Sequence, residues 1–448
     1  LQKSRKRTNT IMDKQQLKAR VAEALRARRA DIEAVAKSIF AEPELGYKEV
    51  KTSAKVKALF DDLGLEYTEG WGLTGVKARM KGKGSKRTVA MVGELDAIVC
   101  RGHEAADPVT GAAHCCGHNI QIANMAAVAM ALKDAGAMEY LGGDVVVFAV
   151  PAEEYVEIDY RSGLRADGKI RYLGGKQQII AEGGFDDVDM AMQMHVDVKR
   201  EEGNFACGGS CNGFIGKLIE YRGRAAHAAA APDRGINALN ACMLGVMGVN
   251  ALRERFREGD VVRFHPIINS GGDLVNVVPD HVTMESYVRA SNVNALKNYN
   301  EDINRALKAG AMALGAEAEI EDIPGYLPLR PDLAFRGILE ENAKAVFGEK
   351  QVSPGEHSAG STDMGDVSHL MPVVHPWIGC VDGVLHGANY VLSDPDAAYE
   401  KIPEVLASTI IDLLWDDAAA ADKICREFKP VFTKETYCAF MDGIAKKE

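Results

Sequence analysis

The chain has 448 residues, 47% of them hydrophobic and 26% charged, a balance that excludes extended disorder and a length that suits two or three domains. Its net charge of −11 disfavours nucleic acid as the main partner, because phosphate recognition needs clustered Lys and Arg on one face. Nine cysteines without a regular framework read as reduced thiols, no apolar run approaches the ~18 residues of a membrane span, and the first dozen residues lack an apolar signal core. A cytoplasmic protein is the expectation. Residues 1–12 read as an N-terminal extension whose basic run, Lys3–Arg7, is a solvated tail, and the first eleven as upstream or vector sequence.

Apolar residues at helical spacing predict one long amphipathic helix from Met12 to about Ile39 and a second over Val50–Leu63. Residues 88–97 (TVAMVGELDA) read as a buried strand ending in acids, 124–136 as a helix stopped by Gly136, and 144–150 and 189–197 as further apolar strands. That alternation predicts an α/β domain with a mixed, largely parallel sheet. Near Gly208 the pattern changes. Strand-like segments at 213–228, 261–272 and 281–290, with helices at 236–256 and 294–314, describe a smaller α+β insert. From about Pro331 long helices and short strands return, ending in helices at 399–417 and 418–445. The boundaries predicted are 13–209 and 326–448 for the two parts of a metal-binding catalytic domain, and 210–325 for a lid between them.

In open α/β sheets ligands bind beyond the carboxyl ends of the strands. Three strand runs deliver polar groups there: Glu94 and Asp96, Glu153 and Glu154, and His195. A fourth cluster, His114 to Asn119, precedes a helix. Cys116 and His118, one glycine apart, can turn thiolate and imidazole toward one centre, a donor set that suits Zn²⁺ or Mn²⁺. A zinc ribbon would need paired C-x₂-C units, which are absent. Cys115 points the other way and reads as packing, and His114 as a structural or substrate-side group. Two neighbouring acids in a turn can divide the work, one ligating metal and the other accepting a proton from water. A solvated acidic turn is the plainer alternative, but the buried run before Glu153 starts the pair at the core.

The ordered motifs GELDA, HCCGHN, VPAEE, FDDVDMAMQMH, GRAAHAAAAPDRGINA, NVVPDHV and GSTDMGDVSH resemble the M20 metallopeptidase family, most of all its amidohydrolase branch, over roughly residues 15–420. The resemblance implies a metal-binding domain plus a lid that dimerises. It implies one or two divalent ions, Mn²⁺ or Zn²⁺ with Co²⁺ also admitted, held by Cys116 as a bridging thiolate and by His118, Glu154, His195 and His386. It further implies Glu153 as general base and Asp96 as a group orienting a ligand imidazole. His227 would reach the active site of the partner protomer and polarise the scissile carbonyl. Asn276 and Arg289 would contact substrate; an arginine fork suits a carboxylate, and a surface ion pair is the alternative for Arg289. His357, Asp363 and His369 form a second tier, while His103, His265, His281 and His375 are left as structural.

Asn119 and Gln121 depart from the branch pattern, as does the long link at 98–114, which lies beside the site and is expected to shape the substrate pocket. The function implied is hydrolysis of an amide in small N-acyl or aroyl amino acids or dipeptides, by a homodimer without nucleic acid or membrane. Two alternatives stay open: hydrolytic deamination of an electron-poor aromatic amine at the same site, and a non-catalytic metal-binding subunit.

Overall fold

The computed structural model describes residues 12–447, so the expectations for residues 1–11 lie outside it. The single helix expected at the start is two, Lys14–Ala27 and Arg29–Phe40, broken at Arg28 where ψ swings to 2°. Each buries its own stripe, Leu17, Val21 and Leu25 in one and Ile32, Ala36 and Ile39 in the other. The third helix, Val50–Asp62, lies where its periodicity predicts.

The main sheet has six strands in the order Tyr67–Trp71, Gly75–Met80, Asp144–Val150, Thr88–Glu94, Met190–Met192, Val373–Val374. Its last four are mutually parallel and its first two antiparallel, a mixed, largely parallel sheet. Thr88–Glu94 is central and buried throughout, so its side chains alternate between two cores. Val89 and Met91 pack with the helix His118–Asp134, while Ala90 and Val92 pack with the helix Gly175–Glu182. The chain leaves this strand for a neighbour on one side and returns to a neighbour on the other. Its carboxyl end is therefore a switch point, where loops diverge and leave a crevice.

The helix expected at 124–136 starts six residues earlier, at His118. Gly117 permits this: its φ is +84°, and a Cβ there would lie 2.3 Å from Val196. The strand expected over 189–197 is also two, in different sheets. Met190–Met192 belongs to the main sheet, whereas His195–Val198 runs parallel to Trp377–Asp382 in a second one. The change of sheet falls after Gln193, whose N–H still bonds the Val374 carbonyl at 3.2 Å while its buried side chain donates to Glu94.

The lid is an antiparallel sheet in the order Arg263–Ser270, His281–Ala290, Gly213–Arg222, Glu317–Pro324, closed at one edge by Lys446–Lys447. Two helices, Ala238–Leu252 and Val293–Leu314, cover one face. The first lid strand stops at Arg222, short of the expected 228, which leaves His227 in a loop. Toward the C-terminus, Ile402–Glu427 is interrupted at Trp415–Ala418, where three residues take positive φ, close to the expected boundary at 417/418, and the second expected helix is itself two pieces, the end of that helix and Lys434–Ile444. Among the described residues no helix is long and apolar enough to cross a membrane.

Candidate metal centre

The strand ends place the predicted groups together. Cys116 Sγ lies 3.3 Å from His195 Nε2 and 3.2 Å from His386 Nε2. His386 Nε2 lies 3.2 Å from Glu154 Oε1, and His118 Nε2 4.0 Å from Glu153 Oε2. Two trios, Cys116–His118–His195 and Cys116–Glu154–His386, each bring their donor atoms within 4.8 Å of one another and share the thiol. Cys116, His118, His195 and Glu154 are buried; the Glu153 side chain is 12% exposed and that of His386 47%, so the cluster opens to solvent on the His386 side.

Local backbone explains how adjacent acids enter one cavity. Ala152 adopts φ 56°, which turns the chain sharply after the buried strand and brings Glu153 and Glu154 to the same side. His386 is likewise left-handed at φ 63°, with its N–H donating to the Cys115 carbonyl at 2.8 Å. Two strained non-glycine residues at one cluster mark a site whose surroundings over-determine it.

Hydrogen bonds fix the rings. His118 Nδ1 sits 2.9 Å from the Asp96 main-chain carbonyl, and His195 Nδ1 2.7 Å from that of Val196, so each Nε2 is left for the centre. Asp96 thus orients His118 through its backbone, its carboxylate standing off at 3.4 Å and accepting instead from the Glu154 N–H at 2.8 Å. His195 stacks on Trp377, ring centroids 4.1 Å apart.

The site is electrostatically divided. Burial, with Glu94 and Glu154 nearby, lifts the Glu153 carboxyl well above its usual range. Burial pushes Glu154 the same way, but the His386 imidazole 3.2 Å away outweighs it and holds the carboxyl low. Burial lowers His195 to about 3, and it raises the Cys116 thiol well above its ordinary value. For His118 burial works against the charged ring, but Glu94 and Cys116 outweigh it and keep the ring protonated to far higher pH.

Whether these residues fit a divalent ion is tested by their unsatisfied atoms. His118 Nε2 and Glu154 Oε1 are buried without a hydrogen-bond partner, although each has another donor-set atom close by. Soft thiolate, imidazole and carboxylate converging with orphaned lone pairs is the composition of a transition-metal site. The set fits.

Several residues that sequence reasoning left without a role stand behind the cluster. Glu94 Oε1 accepts from Lys176 Nζ at 2.6 Å and Gln193 Nε2 at 2.7 Å; its Oε2 accepts from Gln121 Nε2 at 2.8 Å and lies 3.0 Å from His118 Nε2. Lys176, fully buried, also pairs with Asp363. Gln193 is visible as a polar residue inside an apolar strand run; Lys176 carries no such signal. The 98–114 link forms a small ribbon, Ile98–Val99 with Ala112–Ala113, and its His103 contacts the Tyr390 carbonyl at 3.1 Å, beside the His386 loop.

The lid residues stand apart from the cluster. His227 is exposed on its loop, its Nδ1 accepting from the N–H groups of Ala229 and Ala230 at 3.2 and 3.1 Å. Asn276 lies beside it, its main-chain carbonyl accepting from the Ala228 N–H at 2.9 Å. Arg289 donates to Ser361 Oγ at 2.7 Å and His265 Nε2 at 3.2 Å, and its guanidinium lies against Phe214 and Tyr287. No carboxylate among the described residues pairs with it, which removes the surface ion pair as its explanation. His357 bonds Ser210 and Asn212, His369 the Gly365 carbonyl, His375 the Gln193 carbonyl, and His281 faces Glu220.

A two-domain α/β fold with this donor set at its switch point defines a metal-dependent hydrolase acting on C–N bonds. The chain belongs to the peptidase family M20/M25/M40, whose model matches residues 90–412. It is 27% identical over 447 residues to the Xaa-Arg dipeptidase of Mus musculus, covering 94% of each chain. It is also 27% identical over 414 residues to a p-aminobenzoyl-glutamate hydrolase subunit of Escherichia coli (strain K12), covering 88% of this chain and 80% of that one. In fold it resembles the YXEP protein of Bacillus subtilis, a dinuclear metal binding peptidase (TM-score 0.68, 22% identity, 87% of this chain and 99% of the other). A putative aminohydrolase from methicillin-resistant Staphylococcus aureus superposes with a TM-score of 0.74 at 21% identity, over 89% of this chain and all of the other.

Proposed function

We propose that the protein hydrolyses the amide bond of small N-acyl or aroyl amino acids or dipeptides, using two divalent ions that Cys116, His118, His195, Glu154 and His386 would hold. The observation that carries this reading is the pair of ligand trios sharing one thiol, with Glu153 outside both and grouped instead with Glu94 and His118. Cys116, His118 and His195 would hold one ion, and Cys116, Glu154 and His386 the other, with Mn²⁺ and Zn²⁺ the metals best suited to the mixed donor set. When bound, the ions supply a water acidified toward about 7 and polarise the scissile carbonyl.

Glu153 takes a proton from that water as the oxygen bonds to the carbonyl carbon, then returns it to the nitrogen as the C–N bond breaks. Arg289, a cation without a carboxylate of its own at the seam between lid and body, is suited to the substrate carboxylate. The names of the mouse and Escherichia coli relatives support a substrate carrying such a group.

His227 and Asn276 would complete the site of a second copy. Acceptance at His227 Nδ1 leaves its proton on Nε2, ready to be donated to a developing oxyanion. The lid between residues 210 and 325 would form the two-fold contact, supported by exposed Met243, Met247, Ile267, Ile268 and Val275 around its edge strand and first helix. The nine free cysteines favour a reducing, cytoplasmic setting.

The deciding experiment is a screen of N-acyl, aroyl and dipeptide amides and aminoarenes with Mn²⁺, Zn²⁺ and Co²⁺ each supplied. Release of an amino acid from an amide is expected. Ammonia from an aminoarene without amide cleavage would replace this reading with hydrolytic deamination. Metal uptake without turnover of any compound would make the chain a non-catalytic subunit.

A further inference from the structure

Four cationic side chains are buried in the described chain: Lys77, Arg161, Lys176 and Lys217. Three meet carboxylates, Lys77 with Asp187, Lys176 with Glu94 and Asp363, and Lys217 with Asp322. Arg161 does not. It is fully buried on the helix Ile158–Ala166, which follows the two active-site glutamates directly. A buried charge without a counter-ion is costly, so what it touches must offset the loss of water.

What it touches is the glutamate loop. Arg161 Nη2 donates to the Glu154 carbonyl, and Nη1 to the carbonyls of Ala152 (3.4 Å) and Leu173 (2.8 Å), while the guanidinium lies over the Tyr47 ring. The neighbouring carbonyls are held from other directions. Tyr326 OH donates to that of Glu153, and Tyr287 OH to that of Tyr155 at 3.3 Å. The Ala152 N–H donates to the buried Glu49 at 2.8 Å. Four consecutive carbonyls, 152 to 155, therefore accept from side chains, two of them from Arg161.

We propose that Arg161 is a positioning residue whose guanidinium, by holding the carbonyls of Ala152 and Glu154, keeps the left-handed turn that aims Glu153 and Glu154 into the metal centre. Fixing a carbonyl fixes its peptide plane, and with it the exit direction of the adjoining side chains. Without the guanidinium the two carbonyls keep one backbone donor each, the Gly175 N–H on Ala152 at 3.1 Å and the Val156 N–H on Glu154 at 2.8 Å, but lose the side chain that ties them to each other and to Leu173, and the turn at Ala152, unfavourable for a residue with a Cβ, relaxes. Glu154 has most to lose, since its own carbonyl is in the fork and its carboxylate stands 3.2 Å from His386. The proposal rests on the two-ion reading above.

The test is Mn²⁺ titration of chelator-treated full-length protein, with kinetics on the best amide and thermal unfolding alongside. Arg161→Lys and Arg161→Met are compared with Arg165→Ala, a control on the same helix that touches no loop carbonyl. For both Arg161 variants the Mn²⁺ equivalent held by Glu154 and His386 should weaken by ~10- to 100-fold, the range for partners that orient ligands, with the other equivalent little changed. Their kcat should fall while KM stays near that of the wild type, and Arg165→Ala should match the wild type throughout. Should Arg161→Met fail to fold, Arg161→Lys and Tyr326→Phe carry the test; the latter releases only the Glu153 carbonyl and should lower kcat with both Mn²⁺ equivalents intact. Wild-type binding of both equivalents by Arg161→Lys overturns the proposal, as does an equal loss of both in step with the melting temperature. Wild-type protein that takes up no Mn²⁺ overturns the two-ion reading, and this inference with it.

Discussion

The metal centre and the His227 loop are built on opposite plans. Around the centre the groups behind the donor atoms are tied down: Glu94 has four neighbours on its two oxygens, Asp96 serves two ligands, and the glutamate turn is clamped carbonyl by carbonyl. At His227 the side chain is exposed, the ring is tethered at one nitrogen only, and the nearby apolar side chains face outward. The first region is complete within one chain. The second has the form of half an interface. A buried low-dielectric centre gains by being preorganised, because its dipoles need not move when charge develops. A group that must approach from another protomer has to stay accessible until assembly.

The largest effect expected separates the two acids inside the first region. Glu153→Gln removes a base and no ligand, so kcat should collapse by at least ~10² with metal content normal. Glu154→Gln should instead lose metal affinity and recover partly in excess metal. Loss of metal from Glu153→Gln, measured by elemental analysis, would reverse the assignment. Next comes the shared thiol. Cys116→Ala should lose part or all of its metal, whereas Cys115→Ala should keep its stoichiometry, and equal metal content in both would remove Cys116 from the bridge.

Complementation asks whether the second region really works across chains. Glu153→Gln and His227→Ala protomers, each inactive alone, should regain about a quarter of wild-type activity when mixed equally, since half the dimers carry one intact composite site. No recovery after demonstrated exchange of protomers would place His227 within its own chain's chemistry or outside the reaction.

The smallest effect is on pH stability and tests how tightly the catalytic body is sealed. Burial lowers His369 to about 4, so the folded state favours its neutral ring. Its contribution is present above the unfolded value near 6.5 and is lost as pH falls toward 4, by up to ~1.4 kcal/mol per pH unit. His369→Gln should flatten the fall of the melting temperature between those pH values. Unchanged slopes in His369→Gln would show that its burial is not felt as a titration.

Much of the site is legible in the sequence because its chemistry follows strand ends. Buried apolar runs announce the strands, and the polar residues just beyond them announce the crevice, so Cys116, His118, Glu153, Glu154 and His195 group together before the fold is known. What stays hidden depends on side chains that cross between elements. Lys176 looks like any lysine in a short helix until Asp363, far along the chain, closes on it. Arg161 is equally silent, since its acceptors are backbone carbonyls, which every sequence has. Helix limits fail where a single dihedral decides them, at Arg28 and at Gly117.

The two-residue strand Lys446–Lys447 has a mechanical meaning. It pairs with Glu321 and Asp322 at the lid's edge, while the preceding helix Lys434–Ile444 is moored to the body by Tyr437, whose hydroxyl donates to Asp366 at 2.8 Å. The lid is therefore held by its two covalent linkers and, as a third tie, by this rung, beside side-chain contacts such as Arg165 with Glu321 and Arg289 with Ser361. A cavity of about 710 Å³ lies beside that third tie, between the helix Val293–Leu314 and the moored helix. An outward swing of the lid would have to break the rung or drag its mooring, so this short strand couples the position of the lid edge to that of the C-terminal helix.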